Sequence, residues 1–175
     1  MNVIKTKRLR LISLNDTQLE TLLNEGRSAL NLQSGLAPSS MEVPAATMAE
    51  FNEVLPLWID RAKKYPADYA LNTTWDVVHE SENVVIGNVG LGSSRKRPDL
   101  LTIGYMISEQ FQNAGFATEA ITGMIDWAFS NKKIKRIQAD TPIENYSSQR
   151  VLEKNNFQVI KTERNIVYWE LKRVR

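Results

Sequence analysis

Residues 116–130 read as a helix that is apolar around most of its circumference, and a helix of that kind must pack on a sheet and be covered by neighbours. Ala117, Ile121, Met124, Ile125 and Ala128 form one face and Phe116, Ala120, Gly123 and Trp127 a second. Only Thr118, Thr122 and Asp126 mark a narrow polar third. The stretch before it predicts the sheet. Runs at 69–80, 83–93 and 100–108 are rich in Val, Ile, Tyr, Trp and Thr. Turn-like Ser81-Glu82-Asn83 and Arg95-Lys96-Arg97-Pro98-Asp99 separate them, which predicts a three-strand antiparallel meander.

The remaining segments extend this frame. Residues 8–13 alternate charged and apolar side chains, as a half-buried strand does, and Asn15-Asp16 offers an N-cap for a helix to about residue 25. Periodicity is lost from 26 to 44 among Ser, Pro, Gly and Asn. A second helical run starts at Thr47 with apolar Phe51, Val54, Leu55, Trp58, Ile59 and Ala62, and Pro56 inside it predicts a kink or two abutting helices. Beyond the long helix come a strand at 135–141, a helix at 144–155 and strands at 157–162 and 166–172 around Glu163-Arg164-Asn165. The order βαα-βββ-αβ-αββ predicts an α/β fold with a mixed, mostly antiparallel sheet and helices on both faces. A length of 175 residues fits one domain spanning 1–175.

Composition removes whole classes of chemistry. The chain has no cysteine, which excludes a disulfide framework, a thiolate metal site and a cysteine nucleophile, and its single histidine, His79, argues against a zinc cluster, so no metal is expected. A net charge of +2 is too mild for wrapping nucleic acid or coating an anionic membrane. The N-terminus carries no apolar run, and no segment approaches a membrane span, so a soluble cytoplasmic protein is expected. Oligomeric state stays open, a homodimer being compatible.

The segment from Ile103 to Ala120 carries the most chemical information. A strand ends in a short Gly-containing turn that leads directly into the long helix, whose first N–H groups have no intrahelical partners. Those amides and the positive end of the helix dipole form a site for a phosphate or pyrophosphate. Gly115 lets the backbone approach closely, Ala117 keeps the rim low, and no Walker lysine follows, so a nucleotide P-loop matches poorly. A plain strand-to-helix turn accounts for these residues equally well.

Gln112-x-x-Gly115-x-Ala117 resembles the Gln/Arg-x-x-Gly-x-Gly/Ala pyrophosphate loop of the GNAT superfamily of N-acetyltransferases, with Ile103-Gly104-Tyr105 where that family's central strand lies. Asn145-Tyr146-Ser147-Ser148-Gln149-Arg150-Val151-Leu152-Glu153-Lys154-Asn155-Asn156-Phe157 is similar to the Asn-x-x-Ser-x-x-Val-Leu-Glu-Lys-x-Gly-Phe signature of the ribosomal-protein-acetylating, Rim-like branch. Thr6-Lys7-Arg8-Leu9-Arg10-Leu11 looks like that branch's opening strand and Ile86-Gly87-Asn88-Val89-Gly90-Leu91 like its Ile-Gly-x-x-Gly-Leu strand. The four blocks stand in family order.

The resemblance implies an N-acetyltransferase that takes acetyl-CoA as co-substrate and a primary amine as acceptor, a protein N-terminal α-amine or a small amino compound. It implies cofactor contacts from Met106, Ile107, Ser108, Gln112, Asn113, Ala114, Gly115, Phe116, Ala117, Thr118 and Asn145, an oxyanion-stabilising N–H near Met106 or Ile107, and Ser148 as the residue that protonates the departing thiolate. Asn145 reads as a helix cap, as a ligand to the pantetheine arm, or as both. Ser148 is also an ordinary first-turn serine position. His79 reads first as a core or surface histidine, Glu109 as a solvated turn carboxylate, Lys132-Lys133 as a helix-end charge pair and Trp58, Trp75, Trp127 and Trp169 as core and slot-lining rings.

Four departures from the family pattern qualify this. Asn156 replaces the glycine before Phe157, which a left-handed helix terminus tolerates. Thr102 stands where an acidic residue often precedes Ile-Gly-Tyr, Leu152 where many relatives carry a tyrosine, and the closing hairpin is short. Thr102 and that hairpin leave room for a second reading, a non-catalytic acyl-CoA sensor or partner-binding module on the same fold. A nucleotide or nucleic-acid module is a third, disfavoured by the mild charge.

Overall fold

The computed structural model describes residues 1–39, 41–94 and 96–174. Among the described residues eight strands form one sheet: β1 (Val3–Lys5), β2 (Leu9–Ser13), β3 (Thr74–His79), β4 (Val84–Ser94), β5 (Arg97–Ile107), β6 (Arg136–Pro142), β7 (Gln158–Glu163) and β8 (Ile166–Lys172). Their order across the sheet is β1-β2-β3-β4-β5-β6-β8-β7, and only the β5–β6 pair is parallel. Five α-helices accompany them among the described residues: α1 (Asp16–Asn24), α2 (Arg27–Gln33), α3 (Ala45–Lys64), α4 (Phe116–Ser130) and α5 (Tyr146–Lys154). None is long and apolar enough to cross a membrane among the described residues.

Both faces of the sheet are covered, as the element order predicts. On one, Leu11, Val77, Ile86, Leu101 and Ile103 pack against Ile121, Met124 and Ala128 of α4 in the main core. On the other, Leu14, Leu19, Leu30, Leu55, Trp58 and Ala62 bring α1, α2 and α3 into a second cluster. Helix boundaries follow local chemistry. Asn15 and Gln18 close a capping box at the start of α1, and Asn145 caps α5. Asn156 ends α5 in the left-handed region at φ 64°, the conformation the missing glycine demands. Arg164 and Asn165, at φ 50° and 66°, join β7 to β8 in the tight turn a twisted hairpin favours.

The structure adds elements where no pattern is legible. β1 is three residues long, too short to show alternation, and is held by pairing with β2. α2 lies in the stretch without periodicity and buries only Leu30 and Asn31. α3 starts at Ala45 and runs through Pro56 as one element, not as two abutting helices. Pro56 and Asn52, whose carbonyl loses its partner there, are both exposed, so water can satisfy the freed group. β5 begins at Arg97, earlier than the turn residues suggest, and Arg95 of the expected hairpin tip lies outside the described residues.

One irregularity positions the site. β5 pairs with β6 only from Leu100 to Thr102. Beyond that the two strands part, β5 continuing beside β4 to Ile107 and β6 beside β8 to Pro142.

Candidate active site

The parting of β5 from β6 leaves one edge of β5 without a ladder partner. The N–H of Ser108 donates to Ile86 at 2.8 Å, and because side-to-side alternation along an antiparallel strand is strict, Met106 also faces β4. Ile107 and Tyr105 therefore turn their N–H and C=O groups toward the opened edge. The Ile107 carbonyl is met there by the Gln112 side-chain amide at 2.9 Å. Of the two residues expected to offer an oxyanion donor, Ile107 presents its N–H to this opening and Met106 does not.

The chain then makes a short 3-10 turn and enters α4. Asn113 and Gly115 are both left-handed, at φ 60° and 83°, and turn the chain into α4. α1 and α5 are side-chain capped, but α4 has no side-chain cap, and its first backbone bond is Glu119 N–H to the Gly115 carbonyl. The N–H groups of Phe116, Ala117 and Thr118 are thus left to an incoming anion. Arg8, immediately before β2, braces this loop: Nη1 donates to the Ala114 carbonyl at 3.0 Å, and the guanidinium lies over the Phe116 ring at 4.2 Å. Nε binds Glu119 at 2.7 Å, and Glu119 also accepts from the Arg8 N–H and the Thr6 hydroxyl. Burial pushes the Glu119 carboxyl up, but the Thr6 and Arg8 donors outweigh it and hold the group below the ordinary glutamate range.

Ser108 has a different place from the one the resemblance implies. It is fully buried, its hydroxyl accepts the Glu42 N–H at 2.9 Å, its own N–H goes to Ile86 and its carbonyl takes the Phe111 N–H. It ties the segment before α3 to the end of β5.

Across the opening stands the start of α5. The Asn145 Oδ1 accepts from the Ser148 N–H at 3.1 Å and the Ser147 hydroxyl at 3.0 Å, so Asn145 is the cap. The Ser148 hydroxyl meets the Tyr105 hydroxyl at 2.7 Å. Tyr105 also donates within reach of the Ser148 carbonyl at 3.0 Å. Burial pushes the Tyr105 phenol up to about 12, with the Ser148 hydrogen bond pulling the other way. Leu152, at the position where relatives carry a tyrosine, is core.

On the face under α3 lies a groove of about 360 Å³. Gly90, Gly92 and Gly104 of the sheet line it on one side and Phe51, Val54 and Trp58 of α3 on the other, with Glu50 and Arg61 also in the lining. A Cβ at Gly90 would come within 2.8 Å of the Trp58 ring, whereas one at Gly104 would meet only open space. Thr102 and Met106 also line it, so the groove runs up to the opened strand.

A family model for the acetyltransferase (GNAT) domain matches residues 8–158. The chain belongs to the GNAT acetyltransferases. It is accordingly an acyltransferase. The "Uncharacterized N-acetyltransferase YjdG" of Bacillus subtilis is 24% identical over 157 residues, covering 90% of each chain. Among solved structures, the Ribosomal-protein-S5-alanine Acetyltransferase from Vibrio fischeri superposes with a TM-score of 0.67 at 18% identity over 98% of this chain and 97% of its own. The RimL ribosomal L7/L12 alpha-N-protein acetyltransferase in complex with Coenzyme A does so at 0.66 and 13%, over 98% of each chain.

Two residues around the candidate site of this GNAT acetyltransferase escape sequence reasoning. Arg8 reads as one charge in an alternating strand and Glu50 as a polar position on a helix. Only the fold brings the first to the α4 loop and the second to the groove. His79 sits at the far end of β3 from the groove, its ring edge-on to Phe116 at 5.1 Å, and Glu109 is exposed and does not line the groove. Trp75 and Trp169 are core, Trp127 packs on Trp75 at 4.7 Å, and Trp58 is the slot-lining ring.

Proposed function

We propose that this acetyltransferase moves the acetyl group of acetyl-CoA to a primary amine, the α-amine of a protein N-terminus or of a small amino compound. The observation that carries the reading is the continuity of three features: an opened β5 edge, an uncapped α4 start, and Ser148 against Tyr105 across the gap. The residues present suit the co-substrate. The pyrophosphate finds the Phe116, Ala117 and Thr118 amides with Arg8 beside Gly115, and the amide-bearing arm finds the unpaired edge of β5 and the Nδ2 of Asn145. Gln112, Asn113 and Ala114 shape the turn between them.

Chemistry at the mouth follows from these positions. The amine lone pair attacks the thioester carbonyl, the C–N bond forms, and negative charge grows on the carbonyl oxygen. The Ile107 N–H is placed to receive that charge. When the C–S bond breaks, the thiolate takes the Ser148 hydroxyl proton, the attacking nitrogen gives up its extra proton to water, and water returns one proton to the Ser148 oxygen, so the products are the amide, the free thiol and an unchanged serine. Tyr105 has one proton for two acceptors on Ser148. Donated to the Ser148 Oγ, it leaves the serine hydrogen free to reach sulfur. The RimL and ribosomal-protein-alanine neighbours support an α-amine acceptor by analogy, and the open, glycine-lined groove supports a small or flexible one.

The test is acetyl-CoA consumption measured with and without a panel of amines. Amine-dependent release of free CoA together with an acetylated product is the expected result. Thioester binding without amine-dependent turnover would instead identify a sensor on this fold.

A further inference from the structure

Two polar atoms under the groove have no protein partner. The Asn88 Oδ1 and the Thr74 Oγ1 are both buried, on residues 2% and 0% exposed, and neither finds a hydrogen bond among the described residues. Both residues line the groove. An orphaned buried acceptor is costly and usually has a reason. The orientation of the Asn88 amide is forced. Its Nδ2 donates to Asp76 Oδ1 at 2.7 Å, and a carboxylate can only accept, so Oδ1 is the atom left over. Asp76, itself 2% exposed, is pinned from below by the Arg27 guanidinium of α2 at 2.7 Å. This triad holds one acceptor atom in place and leaves it unused.

Its location says what it faces. Asn88 lies directly across from Met106 in the ladder, one strand inside the opened edge where Ile107 presents its N–H. Strands about 4.8 Å apart put Asn88 roughly 5–10 Å from that edge. An amine poised at the thioester has its next donor, the first peptide N–H, about three bonds and at most about 3.6 Å further on, and a hydrogen bond of about 2.9 Å from that N–H reaches to about 6.5 Å, inside that range. Met106, half-buried and flexible, is the cover that must yield. Thr74 stands on the neighbouring row, opposite Gly90, and lies further along the same path.

We infer that Asn88, held by Asp76 and Arg27, reads a hydrogen-bond donor next to the reacting amine, and that the acceptor is therefore a peptidyl or amino-amide α-amine, not a simple alkylamine. Thr74 extends the same recognition along the acceptor. This rests on the acetyl-transfer reading above and narrows its substrate.

The test compares two acceptors that differ in one atom: a short peptide amide and its depsipeptide, in which an ester oxygen replaces the first N–H. The wild-type protein should favour the amide in kcat/KM by about 10-fold or more, since the ester leaves Oδ1 unpaired. Asn88→Leu should bring the ratio close to one while the acetyl-CoA-induced rise in Tm persists. Thr74→Val gives a second readout that needs no substrate. It removes an unpartnered hydroxyl and should raise Tm by about 2–6 °C, while reducing the amide preference. Equal use of amide and ester by the wild-type protein, or a lower Tm for Thr74→Val, would overturn the inference and leave acetyl transfer standing. Failure of every amine to accept acetyl would overturn the transfer reading itself, and this inference with it.

Discussion

The Tyr105 hydroxyl lies 2.7 Å from the Ser148 hydroxyl, and the two come from a sheet strand and a helix start 43 residues apart. The contact couples the candidate acid to a phenol that stays protonated at all ordinary pH. Ser148→Ala should lower kcat by roughly 10- to 1000-fold with acetyl-CoA affinity little changed, the range expected for a positioned proton donor and below it. Tyr105→Phe should lower kcat less, by about 10-fold, because the serine keeps its own proton but loses its orientation. Steady-state kinetics with acetyl-CoA titrations separate the two terms, and equal losses in kcat and affinity would make Ser148 a positioning residue only.

The same phenol gives a stability prediction. Burial raises the folded-state pKa of Tyr105 to about 12 against an ordinary value of 10.0. Its contribution is fully present below about pH 10 and is lost as pH rises through 12, since the unfolded chain releases the proton first. Denaturant unfolding of the wild type and Tyr105→Phe should show a constant difference from pH 7 to about 10 that closes above it. A gap independent of pH up to 12 would mean that Tyr105 ionises normally.

Glu119 works in the opposite sense. Its folded-state pKa is depressed despite burial, so its support for the Arg8 brace is complete above the ordinary carboxylate pKa of 4.5 and fades as pH falls through the lower folded value. Glu119→Gln should cost about 1.5–3 kcal/mol at pH 7, the usual worth of hydrogen bonds to a charged group. The cost should shrink below about pH 4.5. With the brace loosened, the variant should also show a smaller acetyl-CoA-induced Tm shift, which scanning calorimetry with and without ligand reads directly.

How much of this was legible beforehand divides along contact range. The Gly115 turn, the α4 start, the Asn145 cap and the left-handed Asn156 are local, and local chemistry dictates each of them. The Arg8 brace spans 106 residues to Ala114, and the Asp76–Arg27 pair spans 49, so neither leaves a periodic trace. Ser108 is the converse case: its place in the motif suggests a ligand, whereas its buried hydroxyl accepts the Glu42 N–H, a partner that no spacing announces. α2 stayed invisible because seven residues with one buried leucine carry no usable period.

The groove lining offers a substitution that blocks without unfolding. Gly104 has open space where a Cβ would stand, and Gly90 and Gly92 do not. Gly104→Val should therefore keep the fold and the acetyl-CoA-induced Tm shift while lowering kcat/KM for the amine by at least about 10-fold through KM. Retained amine KM in a folded Gly104→Val protein would move the acceptor elsewhere.

The class of amine is the last expectation. Thr102 provides no carboxylate, Glu109 does not line the groove, and among the described lining residues Glu50 is the one acidic side chain. It is exposed and has no hydrogen-bond or ion-pair partner among the described residues, and the acceptor should arrive substantially neutral. An α-amine of pKa about 7.7–8.0 meets that condition near pH 7–8, and a lysine or polyamine nitrogen near 10.4 does not. In a panel of α-amines, lysine side-chain peptides, polyamines and aminoglycosides, α-amines should dominate at pH 7, with the lysine and polyamine rates rising toward pH 9. Glu50→Gln should change the α-amine rate by less than about 3-fold at pH 8 if the amine needs no help. Strong polyamine acetylation at pH 7 would mean that a deprotonating group acts in the groove, and Glu50 would be the first residue to answer for it.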